Sequence, residues 1–513
     1  MAPHRSSPAA VLMLLLLVGC TPSLAPSATA PSAAPSPTPA LASAQPPSLL
    51  AYPWQDRSPF RLDLIDSEAD ILNQNPGATV YHLDIRIADD LGRVDGQAEI
   101  LFTNQESTSL EEVCLHLFAN LLGGSIAVSQ VEVDGQAVTP LLAHSDSLLR
   151  VPLPSALTPG HSAVLRLAFT TLVPSDQETG YGVVGITNGI LSLAHFYPIV
   201  AVYDPGGWDT QMRPEQADPT YADVAYFLVR VEAPGDLQVA SSGRLIDTQS
   251  QGSTTQRMTF AAGPARDFFL AAHPAYQVVE QQAGSAVIRS SCLAEFESAS
   301  REAARVASQA LETFSGLFGP FPYTELDIVC AGMAALGVEY PGIIAINAQF
   351  YDPNDTELPK SWFEATVAHE VAHQWFYATV GNDQVSEPWL DESLVQYATL
   401  LYFEDQYGQP GADGFRNALY DRWDRVERAN IPIGLPAAAY QGREYGAIVY
   451  GRGALFFEAL ADQIGEDAAR AFLRQYFETY KWGIATTEGL RQLAEDSCRC
   501  DLTGLFEAWV YPQ

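Results

Sequence analysis

The sequence predicts a multidomain chain of β + α/β class, an N-terminal β-sandwich followed by a mostly helical part. Three observations predict it. From about Ala78 to Val278, short segments alternate apolar and polar residues with period two, punctuated by turn pairs such as Asp134-Gly135 and Ser242-Gly243. From Glu295 onward the apolar spacing turns helical. The 513 residues exceed one ordinary core, and 47% apolar residues are enough to build more than one.

Taken from the N-terminus, Arg5 precedes an apolar run of 11 residues, Ala9 to Gly19. A spanning helix needs about 20, so the run reads as the core of a secretory signal. It ends Leu17-Val18-Gly19-Cys20, which resembles the bacterial lipobox, in which the cysteine becomes the lipidated first residue. A plain signal cut after Ser23-Leu24-Ala25 is the alternative. Residues 1–20 are therefore expected to be a lipoprotein signal peptide, with Cys20 as the membrane anchor and the body facing outward from the cell membrane. Residues 21–50, nearly all Pro, Ser, Ala and Thr over most of their length, are expected to form an extended spacer. The sandwich is assigned to 51–275 and the helical domain to 276–513.

Within the sandwich, Val80–Ile87, Ala98–Phe102, Val164–Phe169, Tyr226–Val231 and Arg257–Phe260 read as strands. Many short strands at such spacing suggest two packed sheets. Beyond them, 296–317, 361–380, 389–407, 411–428, 445–463 and 466–480 read as helices. Leu326–Val329 and Ile343–Ile346 form a short strand set between them. Cys292 and Cys330 each end a strand-like run, so they bridge if those strands are neighbours and stay buried thiols otherwise. Cys498-Arg499-Cys500 is too close-spaced for a relaxed bridge.

Charge excludes some partners. With 27 Lys+Arg against 61 Asp+Glu, the net charge is −34. Nucleic acid needs a basic surface, and an anionic leaflet would repel this body. The expected contact with a membrane is therefore through Cys20 alone.

One stretch carries chemistry. His369 and His373, in Ala368-His369-Glu370-Val371-Ala372-His373, are four apart and share a helix face. Glu370 lies beside them without being a ligand. Glu392 follows His373 by 19 residues and begins the next helix, so it can return a carboxylate. Two imidazoles and a carboxylate leave one position open on a tetrahedral zinc, the arrangement of a catalytic site. A chance HExxH and a solvated Glu392 are the bland alternative, weakened because two of only nine histidines fall in the pattern. A structural zinc is usually closed by four ligands, often thiolates, and no cysteine lies near this helix.

With these flanks the chain resembles the aminopeptidase N family of zinc metallopeptidases, peptidase family M1, over roughly residues 75 to 513. The carrying residues are the HExxH with its eighteen-residue spacing to Glu392, Gln374-Trp375-Phe376, Trp389-Leu390-Asp391-Glu392, Gly337-Val338-Glu339-Tyr340-Pro341, Tyr450-Gly451-Arg452-Gly453 and Arg266-Asp267-Phe268. The resemblance implies a thermolysin-like domain over 276–513 and one zinc ion held by His369, His373 and Glu392. It also implies Glu370 as general base, Tyr450 as oxyanion donor and Glu339 as partner of a peptide's free α-ammonium. Peptides are then the substrates, cleaved one N-terminal residue at a time.

Departures are visible. Leu336 and Val338 replace a Gly and a Met common in the family's exopeptidase motif, and Ser393 replaces the Gly common after the ligand Glu. No counterpart of the family's second amine contact is evident near 196–204. The chain stops at Phe506-Glu507-Ala508-Trp509-Val510-Tyr511, where larger members continue into a helical domain, so a more open cleft is expected. An endopeptidase or another hydrolase on the same scaffold, such as an epoxide hydrolase, and a non-catalytic surface-binding lipoprotein stay open as alternatives.

Overall fold

The computed structural model describes residues 48–512, apart from 176–182, 213–216, 218–219, 253, 356–357 and 360. Cys20 and nearly all of the Pro/Ser/Ala-rich spacer lie outside those residues.

The period-two segments become strands. Val80–Ile87 runs parallel to Ala225–Pro234 and antiparallel to Arg93–Thr103, near the middle of an eight-stranded sheet. Its alternation puts Tyr81, Leu83, Ile85 and Ile87 on one face, where they enter a buried core. Two four-stranded sheets supply the other side of that core. Leu115 and Val151 come from one of them, and Leu191 and Leu270 from the other. This is the expected sandwich.

A mixed five-stranded sheet follows, in the order Tyr276–Ala283, Ala286–Leu293, Glu325–Ala331, Ile343–Asn347, Gly337–Tyr340. It is larger than the strand pair expected from the sequence. Its inner strands are apolar on both faces, as a sheet covered on both sides requires. Leu326, Ile328, Ile344 and Ile346 join the core shared with the helices, whereas Val329, Ala331, Ile343 and Ala345 join the sandwich core.

Seven helices are used below: α1 Glu297–Leu317, α2 Ser361–Ala372, α3 Glu392–Asp424, α4 Gly453–Ile464, α5 Glu466–Tyr480, α6 Thr487–Cys498 and α7 Thr503–Trp509. α1 buries Ala303, Ala307, Ala310 and Phe314, a stripe at helical spacing. Three expectations are corrected. The helix expected over 361–380 ends at Ala372. The helices expected over 389–407 and 411–428 join into α3, which breaks at Gly408 (φ 65°, ψ −161°) just before Pro410. The helix expected over 445–463 begins as a short turn, Glu444–Ala447, and passes through a π turn, Ile448–Arg452, before α4. α6 and α7 were not foreseen.

Cys292 and Cys330 are joined, their Cα atoms 5.2 Å apart on neighbouring parallel strands. Cys498 and Cys500 are joined as well, against the expectation from their spacing. The intervening Arg499 takes a left-handed conformation (φ 55°, ψ 40°) at the end of α6, which folds the chain back and brings the sulfurs together. Cys114 is a buried free thiol.

Candidate metal centre and cleft

α2 ends at the site. His369 lies in its last turn, and the amide of His373 still donates to the His369 carbonyl at 3.4 Å, so both imidazoles keep one face. Their Nε2 atoms stand 3.2 Å apart with the rings at 89°. Glu392, the first residue of α3, returns its carboxylate: Oε2 lies 3.3 Å from Nε2 of His369 and 3.7 Å from Nε2 of His373. One ligand atom from each of the three falls within 4.8 Å of the others, a donor set able to hold one metal ion.

Neighbouring groups orient these donors. Asp391 takes the Nδ1 proton of His373 at 2.7 Å, which leaves the Nε2 lone pair facing Glu392. Gln384 in turn donates to Asp391 and, at 3.4 Å, to Glu339. Gln396 faces Nδ1 of His369 at 3.3 Å. Burial disfavours charge on both imidazoles, but the outcomes differ. His369 is held well below the usual histidine range by burial and by the cations His373 and Arg422. For His373, the pull of Glu339, Asp391 and Glu392 outweighs burial and raises it.

Why α2 stops where it does follows from the loop beyond it. The amide of Gln374 donates to the Tyr340 carbonyl at 3.0 Å and accepts from the Gly342 amide at 2.9 Å, clamping the end of the Gly337–Tyr340 strand. Tyr377 then adopts φ 126°, a costly backbone for a non-glycine residue. The buried guanidinium of Arg266 holds that turn, donating to the carbonyls of Tyr377, Thr379, Ala222 and Gly483. Asp267 accepts the Tyr377 hydroxyl at 2.5 Å and lies 2.9 Å from His195 Nε2. The sandwich thus locks the end of the helix that carries both imidazoles.

Glu370 is buried, with 4% of its surface exposed, and lies against the strand. A Cβ on Gly337 would come within 2.5 Å of its Oε1, so only glycine there lets the carboxylate sit where it does. Glu339, on the same strand, is buried 4.0 Å from Nδ1 of His373. Tyr450 rides on the π turn and donates its hydroxyl to Glu392 Oε1 at 2.5 Å. Ser393, the departure noted in the sequence, donates to the Val449 carbonyl at 2.6 Å and ties the start of α3 to that turn. Gly453 leaves the room: a Cβ there would stand 2.0 Å from the Ser393 hydroxyl.

All six residues singled out, His369, His373, Glu392, Glu370, Glu339 and Tyr450, thus lie close together, and all but the inward His373 line one cleft of about 1000 Å³. Asp391, Gln384, Gln396 and Arg422 were missed by the sequence reading. Asp391 is the one with a usable signal, since it stands directly before the ligand carboxylate. The cleft wall away from the imidazoles includes Trp362, Phe403, Tyr407 and Phe415.

Such a fold and site define a metallohydrolase-like architecture, a β-sandwich locked onto a helical domain with an HExxH centre. Residues 302–509 match the model of the Peptidase family M1 domain, so the helical part carries an M1 domain and the chain is aminopeptidase N-like. Among curated proteins, Aminopeptidase 2 of Candida albicans is 24% identical over 474 residues, covering 87% of this chain and 48% of that protein. Aminopeptidase N of Lactobacillus delbrueckii subsp. lactis is 24% identical over 217 residues, covering 40% and 26%. The chain spans about half the length of the first of these and less of the second. An M1 zinc metallopeptidase from Deinococcus radiodurans superposes with a TM-score of 0.62 at 21% identity, covering 85% of this chain and 92% of that one. The architecture is therefore the two-domain M1 metallopeptidase fold.

Proposed function

We propose that this chain is a zinc-dependent aminopeptidase that removes N-terminal residues from peptides. The observation that carries the reading is the convergence of His369, His373 and Glu392 on one point, with Glu370 and Glu339 buried beside it. Two imidazoles and one carboxylate suit zinc and leave a position open. Zinc held there supplies Lewis acidity to a carbonyl oxygen and acidifies water. Glu370 takes the proton of the attacking water and hands it to the leaving amine nitrogen. The Tyr450 hydroxyl turns from Glu392 to donate to the developing oxyanion. Glu339 accepts the substrate's α-ammonium, a charged group that is costly to bury without a partner. The Deinococcus fold neighbour has been described bound to a Tyr-Ser-Ala substrate and to L-arginine, which supports peptides as the substrate class.

The test compares free-amine and N-acetylated aminoacyl substrates, with and without chelator. The expected result is chelator-sensitive cleavage of the free amine, and a Glu339→Ala variant that loses free-amine hydrolysis while the blocked substrate loses little. Equal cleavage of both substrates by the unmodified protein makes it an endopeptidase on this scaffold.

The membrane assignment rests on Leu17-Val18-Gly19-Cys20 and the spacer after it. No helix among the described residues is long and apolar enough to cross a membrane. Cys20→Ser is expected to move the protein out of the membrane fraction and abolish palmitate labelling. An unmodified chain recovered free in the culture medium rules the anchor out.

A further inference from the structure

We propose that Arg422, assisted by Arg425, binds the free C-terminal carboxylate of the substrate, so that this cleft selects short peptides with an unblocked C-terminus. The inference rests on the aminopeptidase reading above and names its substrate class.

Arg422 sits on α3 beyond the break at Gly408 and is half-buried in the cleft wall. Its guanidinium lies over the Tyr450 ring, 5.6 Å from the centroid, and makes neither an ion pair nor a hydrogen bond with any described residue. That is unusual company for a half-buried cation in a chain of net charge −34. Surface arginines here pair readily: Arg416 with Asp413 and Glu458, Arg428 with Asp424. Arg425, one turn further along the same face, also lines the cleft without an acidic partner among the described residues. The rest of the charged lining is acidic: Glu339, Glu364, Glu370, Glu392 and Asp421.

The charges are ordered along the site. Glu339 lies on the His373 side, 4.0 Å from its Nδ1. Arg422 lies on the other side, over Tyr450, whose ring centroid is 6.1 Å from that of His369. A carboxylate for the ammonium at one end and guanidinia for a carboxylate at the other match a zwitterionic peptide laid across the imidazoles. Those two separations bound the span from His369 to Arg422 at about 12 Å, and an extended residue covers about 3.3–3.6 Å. The carboxylate therefore belongs one to three residues past the cleaved bond. A guanidinium presents the planar fork that a carboxylate fits, and partial burial strengthens the pair.

The experiment measures kcat/KM of the zinc-loaded full chain on Ala-Ala-Ala and on its C-terminal amide, with alanine p-nitroanilide as a substrate that has no carboxylate. A parallel calorimetric titration binds both tripeptides to Glu370→Gln protein. The free acid is expected to be preferred by about tenfold to a hundredfold in both measurements, the scale of one hydrogen bond to a charged group. Arg422→Met should bring the acid-to-amide ratio to near one, and Arg422→Lys should keep part of it. Equal use of acid and amide by the unmodified protein overturns the proposal. So does an Arg422→Met variant that loses both in proportion, which marks a structural role beside Tyr450. Cleavage of the anilide without acid preference sinks the carboxylate anchor alone, whereas failure to cleave any of the three sinks the aminopeptidase reading with it.

Discussion

Glu370 and Tyr450 separate two kinds of chemical contribution. Glu370 lies beside the three donors and is not one of them, whereas Tyr450 touches the set only through its hydroxyl on Glu392. Glu370→Gln and Tyr450→Phe should each keep about one equivalent of zinc by metal analysis. The first should lower kcat by about 10²–10⁴, as loss of a general base does. The second should lower it by about 10²–10³ with KM little changed, because its hydrogen bond to the oxyanion exists only in the transition state. A Tyr450→Phe protein with normal kcat and raised KM would place the ring in substrate binding. The donors were legible in the sequence because helical spacing is local: four residues put His369 and His373 on one face wherever the helix lies. Asp391, Gln384 and Arg422 were not, because their roles depend on which distant group each side chain meets. Arg422 in particular reads as one more surface cation until α3 is seen to turn it onto Tyr450.

Elements end where tertiary contacts outweigh local preference. Apolar spacing runs on from 361 toward 380, but α2 stops at Ala372 because Arg266 gathers the carbonyls of Tyr377 and Thr379 and Gln374 grips the neighbouring strand. Nothing in that stretch announces a guanidinium more than a hundred residues upstream. The period-two strands of the sandwich were legible, since half-buried strands print their two faces on the sequence. The edge strand Gly337–Tyr340 was visible only as a motif, at four residues too short to show a period. Its glycine provides the element-scale test. Gly337→Ala puts a Cβ within 2.5–2.7 Å of three Glu370 side-chain atoms, so the carboxylate must shift. Its end is flexible, so the strain is small and the cost falls on alignment. The expected result is a melting temperature within a few degrees of the unmodified protein and kcat lowered by at least about tenfold, since small misplacements of a catalytic group are expensive. Unchanged turnover would show that Glu370 need not lie against this strand.

At the scale of the whole molecule, the five-stranded sheet decides how the chain should unfold. It is apolar on both faces, and it gives Ile328 and Ile344 to the helical core and Val329 and Ala345 to the sandwich core. Neither core can open without exposing a face of the strands that the other needs. The Arg266 and Asp267 contacts cross the same boundary from the sandwich to the end of α2. The described body beyond Pro46 is accordingly expected to melt as one cooperative unit, although its length would usually favour separate domains. Metal binding then becomes a probe of that cooperativity. The donors come from α2 and α3, and Glu339, Glu370 and Asp391 crowd further acidic groups around them. A divalent cation binds this folded arrangement far better than the unfolded chain, so it stabilises the fold by about 2.7 kcal/mol at a hundredfold excess over its dissociation constant. Spread over one large unit, that is a rise of about 2–6 °C. Calorimetry with and without chelator should therefore show a single transition that moves as a whole. Two transitions, of which only one responds to metal, would mean that the shared sheet does not couple the halves and that the sandwich folds independently of the site it locks.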